Sequence, residues 1–400
     1  MVGPYRGLFA TRGAKSFVIA GFVGRIPMSM LSIGITLLIH HLTGSFATAG
    51  ALAAVVSLAY AVAAPLSGRL VDRYGQARVI VPFAVVHAAA LTALMLLVHA
   101  HAPLWTFFLS AAIAGSSATS LGSMVRARWS HLLDDPARLH SAFSFESVAD
   151  EVIFVAGPSF TAVVATSVNV YAGLIVAVVL ATVGSLSFAL LKSTEPPVVR
   201  RHERQRSPIG IPGVALLSMV MLAMGAVFGC VDVVTVSFAE EHGTTTAAGL
   251  LLACFSGGSM VSGLWYGARA WKITLRRRLT RALIVFVVGL TPVLLIGDLR
   301  LMALALFFAG LAISPTLITS FSLIERLVPS GQLTEGMSWL TTSIGFGVAV
   351  GAWAGGHLTD TYGASNAYGF AYGAALLAMV VGVAGSGWLR TPVAVRNSGS

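Results

Sequence analysis

Apolar runs of membrane-crossing length alternate with short polar turns along almost the whole chain. Twelve such runs fall near residues 15–40, 46–69, 79–99, 104–126, 141–166 and 169–191, then 213–239, 246–268, 279–297, 300–326, 334–357 and 368–389. About 20 apolar residues are needed to cross a bilayer as a helix. Open strands leave backbone groups unsatisfied in lipid, and the runs lack the alternation of a membrane barrel. The pattern therefore predicts twelve transmembrane helices.

Residues 192–212 break the rhythm with Lys192, Glu195, Pro196, Pro197, Arg200, Arg201, Glu203, Arg204, Arg206 and Pro208. This stretch reads as a linker between an N-terminal six-helix bundle, 1–191, and a C-terminal one, 213–400. The halves carry matching marks. Ser67-Gly68 recurs as Ser262-Gly263, Ala114-Gly115 as Ala309-Gly310, and Gly157 as Gly351, at offsets of 195, 195 and 194 residues. A shared offset on either side of a central linker predicts two tandem copies of one unit.

Composition agrees with a bilayer solvent. The 400 residues are 56% hydrophobic and 10% charged, and the mean hydropathy is +0.85. A soluble domain carries about 25% charged residues. The formal charge of +10 raises nucleic acid as a partner, and the placement of the charges excludes it. Of 25 Lys and Arg, Arg25 falls deep in a span and Arg300 at the opposite side; the other 23 lie in or beside the termini and the even-numbered loops. That asymmetry predicts both termini in the cytoplasm of a cell with this protein in its plasma (inner) membrane. The run following Met1 to Ser16 continues to about Ile39, too long for a cleaved signal segment. Cys230 and Cys254 sit in apolar runs with no metal spacing. Nucleotide-phosphate, nucleophile and zinc patterns are missing, so the reading is a non-enzyme with no cofactor and no metal.

The turn Gly68-Arg69-Leu70-Val71-Asp72-Arg73-Tyr74-Gly75 has its own logic. Gly68 allows helix ends to approach, Asp72 suits the positive N-terminus of a neighbouring helix, and Gly75 permits a tight turn. It resembles the loop between the second and third helices of major facilitator superfamily transporters, matching that pattern at Gly68, Leu70, Asp72, Arg73 and Gly75. It departs at Gln76 and Ala77, where two basic residues are expected. The second-half counterpart, Gly263 to Arg269, keeps a glycine and an arginine without the aspartate. Gly157-Pro158 in the fifth span is similar to the core of a motif of antiporters in this superfamily; a kink for helix packing is the competing reading. The resemblance, nearest to the twelve-helix drug/proton-antiporter branch, implies two six-helix bundles related by a pseudo-twofold axis. They would rock about a central cavity, with Gly68, Asp72, Arg73 and Gly75 in a cytoplasmic latch. Absence of a mid-membrane arginine from Phe107 to Ser120 sets the chain apart from many drug antiporters.

Charges inside the spans carry the sharpest chemistry. Arg25 and Asp150 both lie roughly 15 Å along their helices. Glu146 and Asp150 share a helix face, and Glu151 points about 100° away. Arg25, read as the one basic residue at this depth, is expected to pair with Asp150 or Glu151. The pair either fixes helix packing or forms a proton switch in which one acid is held and another titrates. Substrate-cavity candidates are Met28, Phe228, Asp232, Ser314, Trp339, Thr341 and Thr342. His87 is expected to pack with a hydrogen-bond partner. The sequence thus predicts a monomeric, proton-coupled secondary transporter exporting small amphipathic or drug-like molecules. The alternative is an importer or facilitator of a sugar, organic acid or other metabolite.

Overall fold

The computed structural model describes residues 3–43, 46–198, 207–243, 247–269 and 271–389. The basic centre of the predicted linker, 199–206, lies outside the described residues. A short helix, Gly3–Leu8, precedes the first span. The first half comprises Ala14–Arg25 continued by Pro27–Thr43, Phe46–Tyr74, Gln76–His99, Leu104–Ser117 continued by Leu121–Leu132, Pro136–Ser167, and Ala172–Leu190. The second comprises Pro212–Glu241, Ala247–Gly267, Leu275–Leu290, Leu299–Gly310 continued by Ile313–Leu327, Leu333–Tyr362, and Ala364–Ala384. These are spans 1 to 12. Ten of them are long and apolar enough to cross a membrane by length and composition. Spans 9 and 11 complete the twelve.

Contacts in one half repeat in the other. Span 1 packs on spans 5 and 6 as span 7 packs on spans 11 and 12, and the pairs 2–4 and 3–6 recur as 8–10 and 9–12. Small residues make these approaches possible. A Cβ on Gly115 would collide with the Val56 carbonyl between spans 4 and 2, and one on Gly310 with the Phe255 carbonyl between spans 10 and 8. Likewise Gly157 lies against Ser29 of span 1, and Gly351 against the Ala226 carbonyl of span 7. The matched glycines of the two sequence copies are the positions where paired helices touch. Between the bundles, span 2 packs on span 11 and span 5 on span 8, the exchange a pseudo-twofold axis requires.

Spans 4 and 10 are both interrupted just after these glycines, at Ala118–Ser120 and at Leu311–Ala312. Span 1 is interrupted at Ile26, because Pro27 supplies no N–H to the preceding turn. Irregular backbone at membrane depth is tolerated where protein encloses it, and in transporters it marks working sites.

Candidate functional site

The break in span 1 places Arg25 at the end of a helix, where exposed carbonyls favour a cation. Its Nε donates to the Gly21 carbonyl at 3.1 Å. Its Nη2 donates to Glu146 Oε2 at 2.5 Å and its Nη1 to Asp150 Oδ1 at 2.7 Å. Arg126 Nη2 donates to the other oxygen of Asp150 at 2.8 Å, and Trp129 Nε1 to the other oxygen of Glu146 at 2.9 Å. Two arginines and two carboxylates therefore form one charge-balanced cluster joining spans 1, 4 and 5. Glu146 is fully buried, Arg25 and Arg126 nearly so, and Asp150 is 30% exposed. The guanidinium of Arg126 also lies 4.2 Å from the ring centre of Phe321 on span 10, so the cluster touches the opposite bundle.

Two expectations change here. Arg25 is not the one deep basic residue: the interruption in span 4 lets its helix run to Leu132, which draws Arg126 and Arg128 inside. Ending that span at 126 missed them; the apolar residues past Arg126, Ala127 and Trp129, were the available signal. Arg25 pairs with Asp150 and Glu146, not with Glu151, because Glu151 sits round the helix on the side facing the second bundle.

Glu151 Oε1 accepts a 2.5 Å hydrogen bond from Ser259 Oγ of span 8, and Ser259 is 3.0 Å from Ser314 Oγ of span 10. No cation pairs with Glu151 among the described residues. Asp232 is exposed on span 7 and forms no ion pair among the described residues. Both carboxylates thus stand apart from the arginines of the balanced cluster.

At the end of the molecule that carries the basic loops, the two bundles are joined through helix termini. Asp72 accepts from the backbone N–H groups of Thr334 at 3.2 Å and Glu335 at 2.9 Å, which open span 11. A carboxylate there meets the positive end of the helix dipole. Gly68 is the close-approach point: a Cβ there would strike the Glu335 backbone. Gly75 turns the chain with φ +93, a conformation that suits glycine. Arg73 lies over its neighbour Tyr74 at 5.2 Å. Gln76, standing where a basic residue was expected, is buried and accepts from Arg128 Nε at 2.7 Å. Arg128 in turn donates to the carbonyls of Phe188 and Leu191. Buried Arg128 brings a positive charge to position 76, where the loop carries Gln76 in place of a basic residue.

The second junction has the opposite polarity. The last carbonyls of span 8 accept from donors of the first bundle: Leu264 from Tyr5 Oη at 2.8 Å, Gly267 from Ser141 Oγ at 2.7 Å, with His140 Nε2 3.0 Å from the Tyr266 oxygen. Burial pushes the Tyr5 hydroxyl up to about 12, further above the neutral range in which any tyrosine is a donor. This explains the missing aspartate of the second copy. Span 5 offers span 8 donors, so the span 8–9 turn has no helix N-terminus to cap.

The other residues proposed to line a cavity make the following contacts. Ser314 is buried beside Ser259, Thr342 Oγ1 donates to the Ala61 carbonyl at 3.0 Å, and Trp339 Nε1 donates to Ser207 Oγ at 3.2 Å. Thr341 bonds the Met337 carbonyl of its own helix. Met28 and Asp232 are exposed, and Phe228 lies edge-on to Phe255. His87 holds the Ala114 carbonyl at 2.7 Å, a packing role. Pro158 sits within the span 5 helix directly after the Gly157–Ser29 contact. A cavity of about 410 Å³ lies at the basic end beside Asp72, Gln76, Asp134 and Glu325, and Glu151 does not line it.

Sequence comparison agrees with this architecture. The model of the Major Facilitator Superfamily matches residues 17–231 and again 215–399. The chain belongs to that superfamily. No curated protein matches it. In structure this superfamily member is similar to a bacterial homologue of the iron transporter ferroportin in an outward-facing state. The TM-score is 0.75 at 17% identity, covering 93% of this chain and 99% of that one. It is also similar to the human organic anion transporter MFSD10 (TETRAN), with TM-score 0.70, 15% identity and coverage of 92% and 99%. The E. coli fucose:proton symporter FucP gives 0.67, 14%, 92% and 99%. At such identities the likeness establishes the fold of a secondary transporter and leaves the cargo to the chain's own residues.

Proposed function

We propose that the protein is a proton-coupled exporter of small amphipathic molecules working by alternating access. Residues 1–191 and 213–400 are the moving bundles, 192–212 is their linker, and the basic end faces the cytoplasm of the inner membrane. Both termini lie on that side, and a single chain is the working unit. The observation that carries this reading is Glu151: a carboxylate without a cation, bonded to Ser259 across the bundle boundary, beside a cluster whose charges already balance. In the present arrangement the junctions at Asp72 and at the end of span 8 close the basic end. Glu151 in its protonated form keeps the Ser259 contact without a net charge. When the bundles part at the basic end, Ser259 withdraws, water reaches the carboxyl and the proton leaves. The apolar surfaces of Met28 and Phe228 suit an amphipathic cargo.

The test uses everted vesicles energised by respiration and a panel of amphipathic dyes and drugs. Export coupled to protons appears as dye accumulation that discharges the interior acid gradient. Substrate entry with no proton movement contradicts coupling. Cargo uptake by intact cells, driven by an inward proton gradient, contradicts the direction.

A further inference from the structure

The corner between spans 8 and 9 carries charge that nothing in the described protein balances. Positions 242–297 contain no Asp or Glu, yet Arg269, Lys272, Arg276, Arg277, Arg278 and Arg281 fall between 269 and 281. Arg278 is occupied with the backbone, donating to the carbonyls of Ile273 at 3.0 Å and Trp271 at 3.4 Å. The side chains of Arg269, Lys272, Arg276 and Arg277 meet no carboxylate among the described residues, where the ion pairs all belong to the buried cluster. Arg276 and Arg277 also stand in the first turn of a helix, where the dipole disfavours cations.

The same corner has an aromatic floor. Trp271 donates from Nε1 to the Tyr266 carbonyl at 3.0 Å and lies 4.5 Å from the Tyr266 ring. Trp265 stands edge-on to Trp271 at 5.7 Å and is 47% exposed. The Arg269 guanidinium lies over both indoles, at 5.4 and 5.6 Å. Exposed tryptophan beside unpaired cations at a helix end belongs at headgroup depth.

We infer that this corner is a binding site for an anionic phospholipid of the leaflet on the basic side. Arg269, Lys272, Arg276 and Arg277 meet the phosphate, and Trp265 lies along the glycerol and upper acyl chain. Charge complementarity selects an anion, and the exposed indole selects one that carries a hydrocarbon tail over a free phosphate. The site adjoins a junction between the bundles, since the Tyr266 carbonyl contacts both Trp271 and His140.

The test is native mass spectrometry of the full-length protein released from detergent, titrated with phosphatidylglycerol or phosphatidylcholine. The wild type retains phosphatidylglycerol preferentially. A combined Arg269→Gln, Arg276→Gln, Arg277→Gln variant loses that preference by about tenfold. Neutralising Arg12, Lys15 and Lys192 together leaves it unchanged. Trp265→Ala, at an exposed position, weakens retention of the lipid on a protein of wild-type melting temperature. Equal retention by the triple variant and the wild type overturns the site. So does displacement of the lipid by millimolar inorganic phosphate, which would make it a soluble-anion site.

Discussion

Glu151 of span 5 and Ser259 of span 8 share a 2.5 Å hydrogen bond across the boundary between the two bundles. One residue earlier in the chain, Asp150 is gripped by Arg25 and Arg126 within the first bundle. Adjacent acids on one helix thus have opposite surroundings, set by the 100° turn between them. One is locked by cations, and the other depends on the position of the second bundle.

The locked cluster is expected to be structural. Arg25→Gln leaves Glu146 buried without its cation, at a cost of about 3–5 kcal/mol. Thermal unfolding in detergent should show a marked fall in melting temperature for this variant. Much of it should return in the Arg25→Gln, Glu146→Gln double variant, which restores charge balance. Equal destabilisation of the single and double variants would show that the two residues are uncoupled.

Asp72→Asn removes the charge at the N-terminus of span 11. Such an end-charge contact is worth about 0.3–1 kcal/mol, a shift of roughly two- to fivefold in the balance of states. Distances between spin labels on the basic ends of spans 2 and 11 should show the open population rising by that factor. An unaltered distribution would remove Asp72 from the latch.

The repeated helix contacts predict a repeated sensitivity. Gly115→Val and Gly310→Val each drive a side chain into a facing carbonyl, between spans 4 and 2 and between spans 10 and 8. Both should cost at least about 2 kcal/mol and reduce folded yield on size-exclusion chromatography. Gly369→Val, which meets open space, is the matched control.

His242 at the end of span 7 predicts a pH effect on stability. Its two ring nitrogens lie 2.8 Å from the Phe238 carbonyl and 2.7 Å from the Gly297 carbonyl, and only the imidazolium donates to both. Those bonds, with smaller help from Glu241 and Asp298, raise its pKa above the ordinary value of 6.5. A raised histidine stabilises fully below its unfolded value and loses that contribution as pH climbs through the folded one. The melting temperatures of wild type and His242→Gln should therefore differ most at about pH 6 and converge at about pH 9. A constant difference would contradict the imidazolium bridge.

Much of the fold was legible because lipid imposes one rule, that apolar length means helix. The twelve runs, the matched glycines and the aspartate of the span 2–3 turn all follow from local pattern. The partners of the buried charges were not. Span 4 resumes after its break and runs to Leu132, carrying Arg126 and Arg128 with it, and only the apolar Ala127 and Trp129 hint at that extension. Whether Arg25 takes the face of Asp150 and Glu146 or that of Glu151 depends on which side of span 5 meets span 1, a tertiary fact that the expected choice of Asp150 or Glu151 left open. The reversed polarity of the span 5–8 junction was equally hidden, since Tyr5, His140 and Ser141 are ordinary residues until span 8 ends against them.

The central claim is that Glu151 carries the coupled proton. Purified protein in liposomes with a pH-sensitive dye inside separates the steps: substrate exchange at equal pH, and transport driven by a pH gradient. Glu151→Gln is expected to retain exchange near the wild-type rate and to lose gradient-driven transport, with no proton movement upon substrate addition. Full gradient-driven transport and wild-type proton movement in Glu151→Gln would contradict the account.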